Sequence, residues 1–221
     1  MSEEKPSTGK QKQIAISEFF EKNKHFLGFD SLQRAIITAV KESVDNSLDA
    51  CEEVRILPDI RIEVKRLGGN RVELITQDNG PGIPRDSIEH VFGKFLLGSR
   101  FHAIRQTRGQ QGIGITGVVM YSQLTTGAKT RVVSKVEDDA TAVFVDLGID
   151  TRKNKAIKSG EARDTWIDNV TGEEVDHGLR IETVMNAKYQ RGRQSVYQYL
   201  RMTSIVNPHA TITLTVQDKD G

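Results

Sequence analysis

The sequence of 221 residues lacks several features that would mark a specialised class of protein. It has a single cysteine, Cys51, which excludes a disulfide framework and any metal site built from several cysteines. It has no run of about 18 apolar residues, so no segment is expected to span a membrane. Residues 1–13 are polar and lack the apolar stretch of a secretory signal, so we expect a cytoplasmic protein.

The chain also lacks an excess of one charge, since 31 Lys and Arg residues face 30 Asp and Glu residues. A domain that binds nucleic acid by itself usually has a clear basic excess. Any contact with DNA must therefore come from a local patch or from another chain. Hydrophobic residues make up 37% of the sequence, which excludes general disorder, and the length allows one domain with a sizeable core.

What is present is a concentration of glycine. Eight of the 19 glycines fall between Gly80 and Gly117, where average composition would place about three. Glycines cluster where the backbone must turn sharply or approach a ligand closely. This region is therefore the first candidate for a ligand-binding site.

Hydrophobic periodicity predicts a mixture of helices and hairpins. Helical spacing runs for about twenty residues from Leu32, after a capping residue at Asp30 or Ser31. Further helices are predicted at 85–97, 113–124 and 189–205, hairpins at 59–66 with 71–77 and at 130–136 with 141–147, and strands around Trp166, at 179–185 and at 210–217. This order predicts an α+β fold, a two-layer sandwich of a mixed, mostly antiparallel sheet with helices on one face.

The long predicted helix carries a second, polar stripe of Glu42, Asp45, Asn46 and Asp49, which share one face. A solvated acidic face is one interpretation. Clustered carboxylates repel one another on a helix, however, and a carboxylate with an amide suits Mg²⁺. In the second interpretation, Glu42 accepts a proton from water while Asn46 holds the metal.

Two glycine-rich segments follow. Residues 78–82, with the pattern DxGxG, form either a simple turn or a loop in which Asp78 accepts a hydrogen bond from an adenine amino group. Residues 109–114 precede a predicted helix, where backbone N–H groups can bind an anion. The order of residues is neither that of a P-loop nor that of a Rossmann fingerprint. Arg100, Arg105 and Arg108 lie in the loop before this segment, where they could contact phosphate charge. The other interpretation is a flexible basic loop without a ligand.

Together these segments resemble those of the ATPase family that includes gyrase, the ninety-kilodalton heat-shock chaperones, histidine kinases and MutL. Within that family they resemble the B subunit of the archaeal type IIB DNA topoisomerase, topoisomerase VI. The resemblance rests on SEFF and LGF near the start, VKESVDNSLDA (40–50), QDNGPGIP (77–84), FGKFLLGSR (92–100) and QTRGQQGIGITGVVMYSQ (106–123). It implies the Bergerat-type ATP-binding fold. The last segment disfavours a chaperone, and a histidine kinase is disfavoured because the likeness to it ends at the shared motifs.

The resemblance also implies roles for particular residues. Glu42 is the expected general base, Asn46 the expected ligand of Mg²⁺ and the triphosphate, and Asp78 the expected partner of adenine. The remaining residues expected to bind ATP are Gly82, Ser99, Arg100, Gly109, Gln110, Gln111, Gly112, Ile113 and Gly114.

Two positions depart from the family pattern. Leu179 stands where a threonine hydroxyl usually contacts adenine, and a leucine side chain has no hydroxyl to make that contact. Residues 115–117 are Ile-Thr-Gly where close relatives often have a lysine, so the loop relies more on backbone donors.

The expected organisation is a flexible arm, residues 1–13, followed by an ATPase domain, residues 14–221, without the transducer domain of the family. The expected function is Mg²⁺-dependent ATP binding and hydrolysis, with ATP-driven dimerisation that gates the passage of double-stranded DNA in supercoil relaxation or decatenation. Expected partners are the catalytic A subunit, a second copy of the chain and duplex DNA, in the cytoplasm at the nucleoid. The alternative is a nucleotide-responsive dimerisation module with little turnover.

Overall fold

The computed structural model describes residues 16–93, 114–150 and 155–218, and these ranges contain five α-helices and seven strands. The helices are α1 (Ile16–Asn23), α2 (Leu32–Glu53), α3 (Ile88–Gly93), α4 (Gly114–Thr126) and α5 (Val196–Val206). The strands are β1 (Asp59–Gly68), β2 (Arg71–Asp78), β3 (Thr130–Lys135), β4 (Ala142–Asp150), β5 (Lys155–Asp164), β6 (Gly178–Asn186) and β7 (Thr211–Gln217). The predicted arm lies outside the described residues.

All seven strands form one sheet in the order β5-β4-β3-β6-β2-β1-β7. Neighbouring strands are antiparallel except β1 and β7, which run parallel. Both predicted hairpins are present, as β1–β2 and β3–β4. The predicted α+β fold, a two-layer sandwich with a mixed, mostly antiparallel sheet and helices on one face, is confirmed.

The core forms between α2 and α4 on one side and the helix-facing side of the sheet on the other. Along β1, Ile60, Ile62 and Val64 are fully buried, while the intervening residues face the opposite side, as the alternation of a strand requires. Each such side chain contributes about 1.5–3 kcal/mol on burial. The Oγ atom of Ser31 accepts a hydrogen bond from the N–H of Arg34 at 3.3 Å and caps α2, which confirms one of the two predicted caps.

The segment between β4 and β6 differs from its prediction. The strand is β5, which pairs with β4, whereas Trp166 lies beyond its end. Trp166 is buried against Val133 and Ala142 in a second, small hydrophobic cluster. The tryptophan therefore anchors a loop on the sheet, and the strand itself escaped prediction because its sequence, KAIKSGEARD, has almost no apolar alternation.

The last predicted helix begins later than expected, at Val196 instead of residue 189. Ser195 is the N-cap, and its Oγ accepts a hydrogen bond from the N–H of Gln198 at 3.2 Å. Gly192 has a φ of +132°, which no helix permits. The apolar spacing of Tyr189 and Val196 is typical of a helix. Gly192 and the cap at Ser195, however, prevent a helix from running through the segment between them.

The helix predicted at 85–97 begins with a 3₁₀ turn (Arg85–Ser87) and continues as α3, with its remainder outside the described residues. The topology places the C-terminal end of β2, the start of α4 and one face of α2 at the same end of the sheet. Among the described helices, none is long and apolar enough to cross a membrane.

Candidate functional site

A cavity of about 350 Å³ opens between α2, the loop after β2 and the start of α4. Three segments that the sequence marks separately meet here: the polar stripe, the DxGxG loop and the end of the glycine-rich stretch. The described lining residues are Glu42, Ser43, Asn46, Ser47, Ala50, Asp78, Pro81, Gly82, Ile83, Val91, Phe92, Gly114, Ile115, Thr116, Leu179 and Ile181.

Glu42 forms one wall of the cavity, with its side chain 21% exposed. Burial raises the pKa of this carboxyl, and the ammonium of Lys41, 3.8 Å from its Oε1, opposes that rise. A Cβ atom added at Gly114 would overlap the Glu42 carboxylate, so this group lies directly against the backbone where α4 begins. A carboxylate with a raised pKa at the edge of a cavity is suited to accept a proton.

Asn46 lies one helical turn after Glu42 and faces the same cavity. Its side chain is exposed, and no hydrogen bond with the described residues engages its amide. The described residues contain no group of three His, Cys, Asp or Glu residues that could hold a metal ion. A divalent ion here would depend on Asn46, ligand oxygens and water, which fits Mg²⁺ because it keeps several waters.

The other two members of the polar stripe do not line the cavity. Asp45 lies on the far side of Glu42 from Asn46, since residues 45 and 46 are about 100° apart around a helix. Its carboxylate contacts Lys41 and Tyr199 instead. Members of this one stripe therefore lie in two different environments: Glu42 and Asn46 face the cavity, whereas Asp45 contacts Lys41 and Tyr199.

Asp78, at the end of β2, is a buried carboxylate aimed at the cavity, with a relative exposure of 6%. Its Oδ2 accepts a hydrogen bond from the Ser47 hydroxyl at 2.6 Å, and its Oδ1 accepts one from the N–H of Gly80 at 2.9 Å. Burial raises the pKa of Asp78, while these hydrogen bonds, one from the N–H of Leu179 and the charge of His177 lower it. The carboxylate is thus fixed before any ligand binds.

The loop after Asp78 is held from both sides. Asn79 accepts a hydrogen bond from the N–H of Asp59 at 2.8 Å, and Ser134 bonds both the N–H and the carbonyl of Ile83 at 2.6 and 2.9 Å. Gly82 has a φ of +71°, and a Cβ atom there would overlap the carbonyl oxygen of Lys135. A glycine is therefore required here for packing of backbone against backbone, which is separate from the predicted close approach to a ligand.

The described structure brings together five of the residues predicted from the sequence: Glu42, Asn46, Asp78, Gly82 and Gly114. The other predicted ligands of ATP, together with Arg105 and Arg108, lie outside the described residues. The predicted ligands of ATP concerned are Ser99, Arg100, Gly109, Gln110, Gln111, Gly112 and Ile113.

Two functional positions went unrecognised or were only partly recognised from the sequence. Ser47 falls in the apolar stripe of α2 and looks like a small core residue, yet its hydroxyl holds Asp78. A hydroxyl on a buried stripe was the available signal, because a buried hydroxyl needs a partner. Leu179 lines the cavity, so the position that lacks the expected threonine does face the site.

The comparisons with known proteins agree with this geometry. The family described as histidine kinase-, DNA gyrase B-, and HSP90-like ATPase matches residues 31–151. A curated protein from Methanosarcina mazei, the B subunit of Type 2 DNA topoisomerase 6, is 52% identical over 213 residues, which are 96% of this chain and 33% of that protein. The protein of the same name from Archaeoglobus fulgidus is 50% identical over 212 residues, 96% of this chain and 34% of that protein. The chain spans about a third of the length of these relatives.

A solved structure supports the fold independently. The topoisomerase IV ATP-binding domain of Francisella tularensis, in complex with a small-molecule inhibitor, matches with a TM-score of 0.55 at 16% identity, over 90% of this chain and 89% of that one. The family match covers more than half of the chain and includes α2, the loop after β2 and α4. The chain therefore belongs to the family of histidine kinase-, DNA gyrase B- and HSP90-like ATPases.

Proposed function

We propose that residues 14–221 form the ATP-binding and ATP-hydrolysing domain of the B subunit of a type IIB DNA topoisomerase, preceded by an arm of residues 1–13. The observation that carries the proposal is the cavity itself. It combines a largely buried carboxylate, an exposed amide one helical turn away and a second carboxylate fixed at a strand end. Identity of about 50% to proteins named as the B subunit of such an enzyme favours this branch of the family.

Asp78 binds the base in this proposal. Its carboxylate accepts a hydrogen bond from the adenine amino group, while Ser47 and Gly80 keep it oriented. The apolar side chains of Ile83, Phe92 and Leu179 line the same cavity and would enclose the flat base. The selectivity for adenine follows, because a guanine carbonyl at the same position would face a carboxylate with no donor between them.

Glu42 and Asn46 serve the phosphate half. Mg²⁺, when bound, neutralises charge on the triphosphate, and Asn46 is the described residue placed to hold it. Glu42 accepts a proton from the attacking water, and its raised pKa suits this role. Gly114 and the residues from Ser99 to Ile113 that the sequence marks are proposed to bind the phosphates through backbone N–H groups and Arg100.

The decisive experiment removes the base. Glu42→Ala should lower the rate of ATP hydrolysis by about 10²–10⁴-fold, because general bases contribute that much. Binding of a non-hydrolysable ATP analogue should remain within about threefold of the parent, since Glu42 is not assigned to binding. Hydrolysis by the variant at the parental rate would refute the assignment of Glu42.

The larger cycle extends the proposal beyond this site. ATP binding brings two copies together, and this dimerisation gates passage of one duplex through another, with relaxation or decatenation as the result. A catalytic A subunit is the proposed partner, as the name of the relatives implies for those proteins. The proposed location is the cytoplasm, at the nucleoid.

A basic end of the sheet supports a DNA partner. Opposite the nucleotide cavity, Arg66, Arg71, Lys188 and Tyr189 line a cavity of about 460 Å³, with exposed Arg191 nearby in sequence. In these described parts, Arg66 pairs with Asp218 at 2.8 Å and lies 5.6 Å from the Tyr189 ring. Clustered cations bind phosphate and release counterions.

The DNA contact is tested by measuring duplex affinity across a range of salt concentrations. Arg71→Ala, at an exposed residue that lines this cavity, should weaken binding and reduce the slope of log affinity against log salt by about one, because one phosphate contact is lost. Arg163→Ala is a suitable control, since Arg163 lies on β5 at the far edge of the sheet. Equal slopes for both variants would exclude the basic end as a DNA contact.

One observation favours the alternative of a dimerisation module with little turnover. None of the described residues that line the cavity is a lysine or an arginine, so none of these lining side chains can neutralise charge on the phosphates in the transition state. Sedimentation velocity with a non-hydrolysable ATP analogue, run beside a hydrolysis assay, separates the two functions. Dimerisation with turnover supports the ATPase, whereas dimerisation without turnover supports the module.

A further inference from the structure

Asp45 is a buried carboxylate beside the nucleotide cavity that has no assigned role there. Both of its oxygens are engaged: Oδ1 accepts a hydrogen bond from the Tyr199 hydroxyl at 2.9 Å, and Oδ2 from the Lys41 ammonium at 2.8 Å. Its side chain is only 12% exposed. A buried charge held by two donors is fixed in orientation, because losing either donor leaves it partly unpaired.

Lys41 is therefore placed between two carboxylates. Its Nζ lies 2.8 Å from Oδ2 of Asp45 but 3.8 Å from Oε1 of Glu42. The shorter contact is a hydrogen bond, while the longer one is only an electrostatic contact. The lysine is thus near enough to favour the ionised form of Glu42, yet it does not occupy the carboxylate that must accept a proton.

Lysine side chains are flexible, so this arrangement needs a cause. A closer pair between Lys41 and Glu42 would use the lone pairs that a base requires. Movement of Lys41 away from both groups would leave Glu42 beside the negative charge of Asp45, which raises the pKa of Glu42 further. Asp45 holds the lysine between these two extremes.

Tyr199 in turn fixes Asp45, and it belongs to a different helix. It lies on α5, where its partly buried ring packs on the main core and Thr203 bonds its carbonyl at 3.0 Å. Burial, with the nearby charge of Asp45, raises the pKa of the tyrosine, so its hydroxyl stays protonated and remains a donor. The position of Asp45 thus depends on the docking of α5 against α2.

We propose that Tyr199 is a positioning residue for the general base Glu42, and that it acts through Asp45 and Lys41. The proposal rests on the proposed function, since it needs Glu42 to be the base. It adds that α5, which contributes no described residue to the cavity wall, controls the hydrolytic step. Without the tyrosine hydroxyl, Asp45 turns away, and Lys41 closes on Glu42.

The test compares two tyrosines of the same helix. Tyr199→Phe removes the hydroxyl that bonds Asp45, and Tyr197→Phe removes one from a side chain that is 58% exposed. In the full chain, Tyr199→Phe should lower kcat by about 5- to 20-fold with KM unchanged, because only the hydrolytic step loses its geometry. Tyr197→Phe should match the parent in both constants.

A double-mutant cycle tests the proposed route through Lys41. Because Tyr199 acts through Lys41, the pair Tyr199→Phe with Lys41→Met should have the kcat of Lys41→Met alone. If the two losses multiply, the two residues act independently and the route is wrong. If kcat and the melting temperature fell and KM rose together in Tyr199→Phe, the role of Tyr199 would be merely structural.

Two further measurements separate this proposal from the proposed function. A crystal structure of Tyr199→Phe should show Lys41 Nζ within hydrogen-bond distance of Glu42, and an unmoved lysine would overturn the proposal. Glu42→Gln is assayed alongside. Hydrolysis by Glu42→Gln at the parental rate refutes the base assignment itself, whereas an inactive Glu42→Gln with a fully active Tyr199→Phe refutes only the role of Tyr199.

Discussion

The base half and the phosphate half of the cavity are built in different ways. In the base half, Asp78 is buried and receives hydrogen bonds from Ser47 and Gly80 before any ligand is present. In the phosphate half, Asn46 is exposed and unengaged among the described residues, and Glu42 rests against the bare backbone of Gly114. One half is preorganised by side-chain hydrogen bonds, whereas the other depends on the absence of a side chain.

This difference has a physical reason. A base is recognised by a few hydrogen bonds of fixed direction, and these must be oriented in advance to give selectivity. A triphosphate is bound mainly through charge and backbone donors, which require that the backbone can approach closely. Changes in the base half should therefore alter affinity, and changes in the phosphate half should alter turnover.

The largest effect is expected where a side chain is added to the phosphate half. In Gly114→Ala, the new Cβ atom would overlap the Glu42 carboxylate and displace it. Displacement of a catalytic group by about 1 Å can cost on the order of 100-fold in rate. Steady-state assays should show this loss in kcat with little change in analogue affinity.

The neighbouring Gly117 provides the control for that variant. Within 4 Å, a Cβ atom at Gly117 would meet only the rings of Phe29 and Phe20, at ordinary contact distances, and no assigned group. Gly117→Ala should therefore keep its kcat. If Gly114→Ala also kept its kcat, the carboxylate would not need this position, and the contrast between the two halves would lose its basis.

A smaller loss is expected when the base half loses its charge. Asp78→Asn places an amide where the adenine amino group needs an acceptor, and a hydrogen bond to a charged group is worth about 1.5–3 kcal/mol. Analogue affinity should fall by roughly 10- to 100-fold in titration calorimetry. Unchanged affinity would eliminate Asp78 as the partner of the base, and a loss confined to kcat would reverse the assignment of the halves.

The supporting hydroxyl should matter less than the carboxylate that it holds. Ser47→Ala removes one donor from Asp78 but leaves the N–H of Gly80, so affinity should fall by only about fivefold, equivalent to about 1 kcal/mol. Thr38→Val is the matched control on the same helix, because the Thr38 hydroxyl donates to the carbonyl oxygen of Gly28 and Thr38 does not line the cavity. An equal loss in both variants would indicate a general effect on α2.

Only part of this structure could be predicted from the sequence alone. The two hairpins, α2 and its cap followed from residue spacing, and so did the meeting of Glu42, Asn46 and Asp78, given the resemblance. Spacing failed at β5, whose edge position does not require apolar residues, and at the start of α5, where Gly192 breaks a plausible helical pattern.

Partnerships between distant residues were harder to predict than elements. The polar stripe correctly placed Asp45 on a face near Glu42, but its partner Tyr199 is 154 residues away in sequence and lies on another helix. The bond from Ser47 to Asp78 spans 31 residues in the same way. Such pairs depend on how α2 docks on the sheet and on α5, which no local pattern records.

The smallest expected effect is on stability. It shows how burial of Asp78 in the base half affects the free energy of folding, apart from its role in binding the base. Burial raises the pKa of Asp78 in the folded protein above its value in the unfolded chain, so the folded state binds this proton more tightly. The stability due to the proton is present at low pH and is lost as the pH rises through the folded pKa. Asp78→Asn removes the titration but keeps the shape.

The melting temperature of Asp78→Asn, relative to the parent, should therefore rise as the pH increases from about 4 to 7, by a few degrees at most. Asp138→Asn, at an exposed position in the turn between β3 and β4, is the control for replacing a carboxylate by an amide. A difference that instead grew toward low pH would mean that the ionised carboxylate stabilises the fold. The base half would then gain stability from Asp78, and the selectivity for adenine would carry no cost in folding free energy.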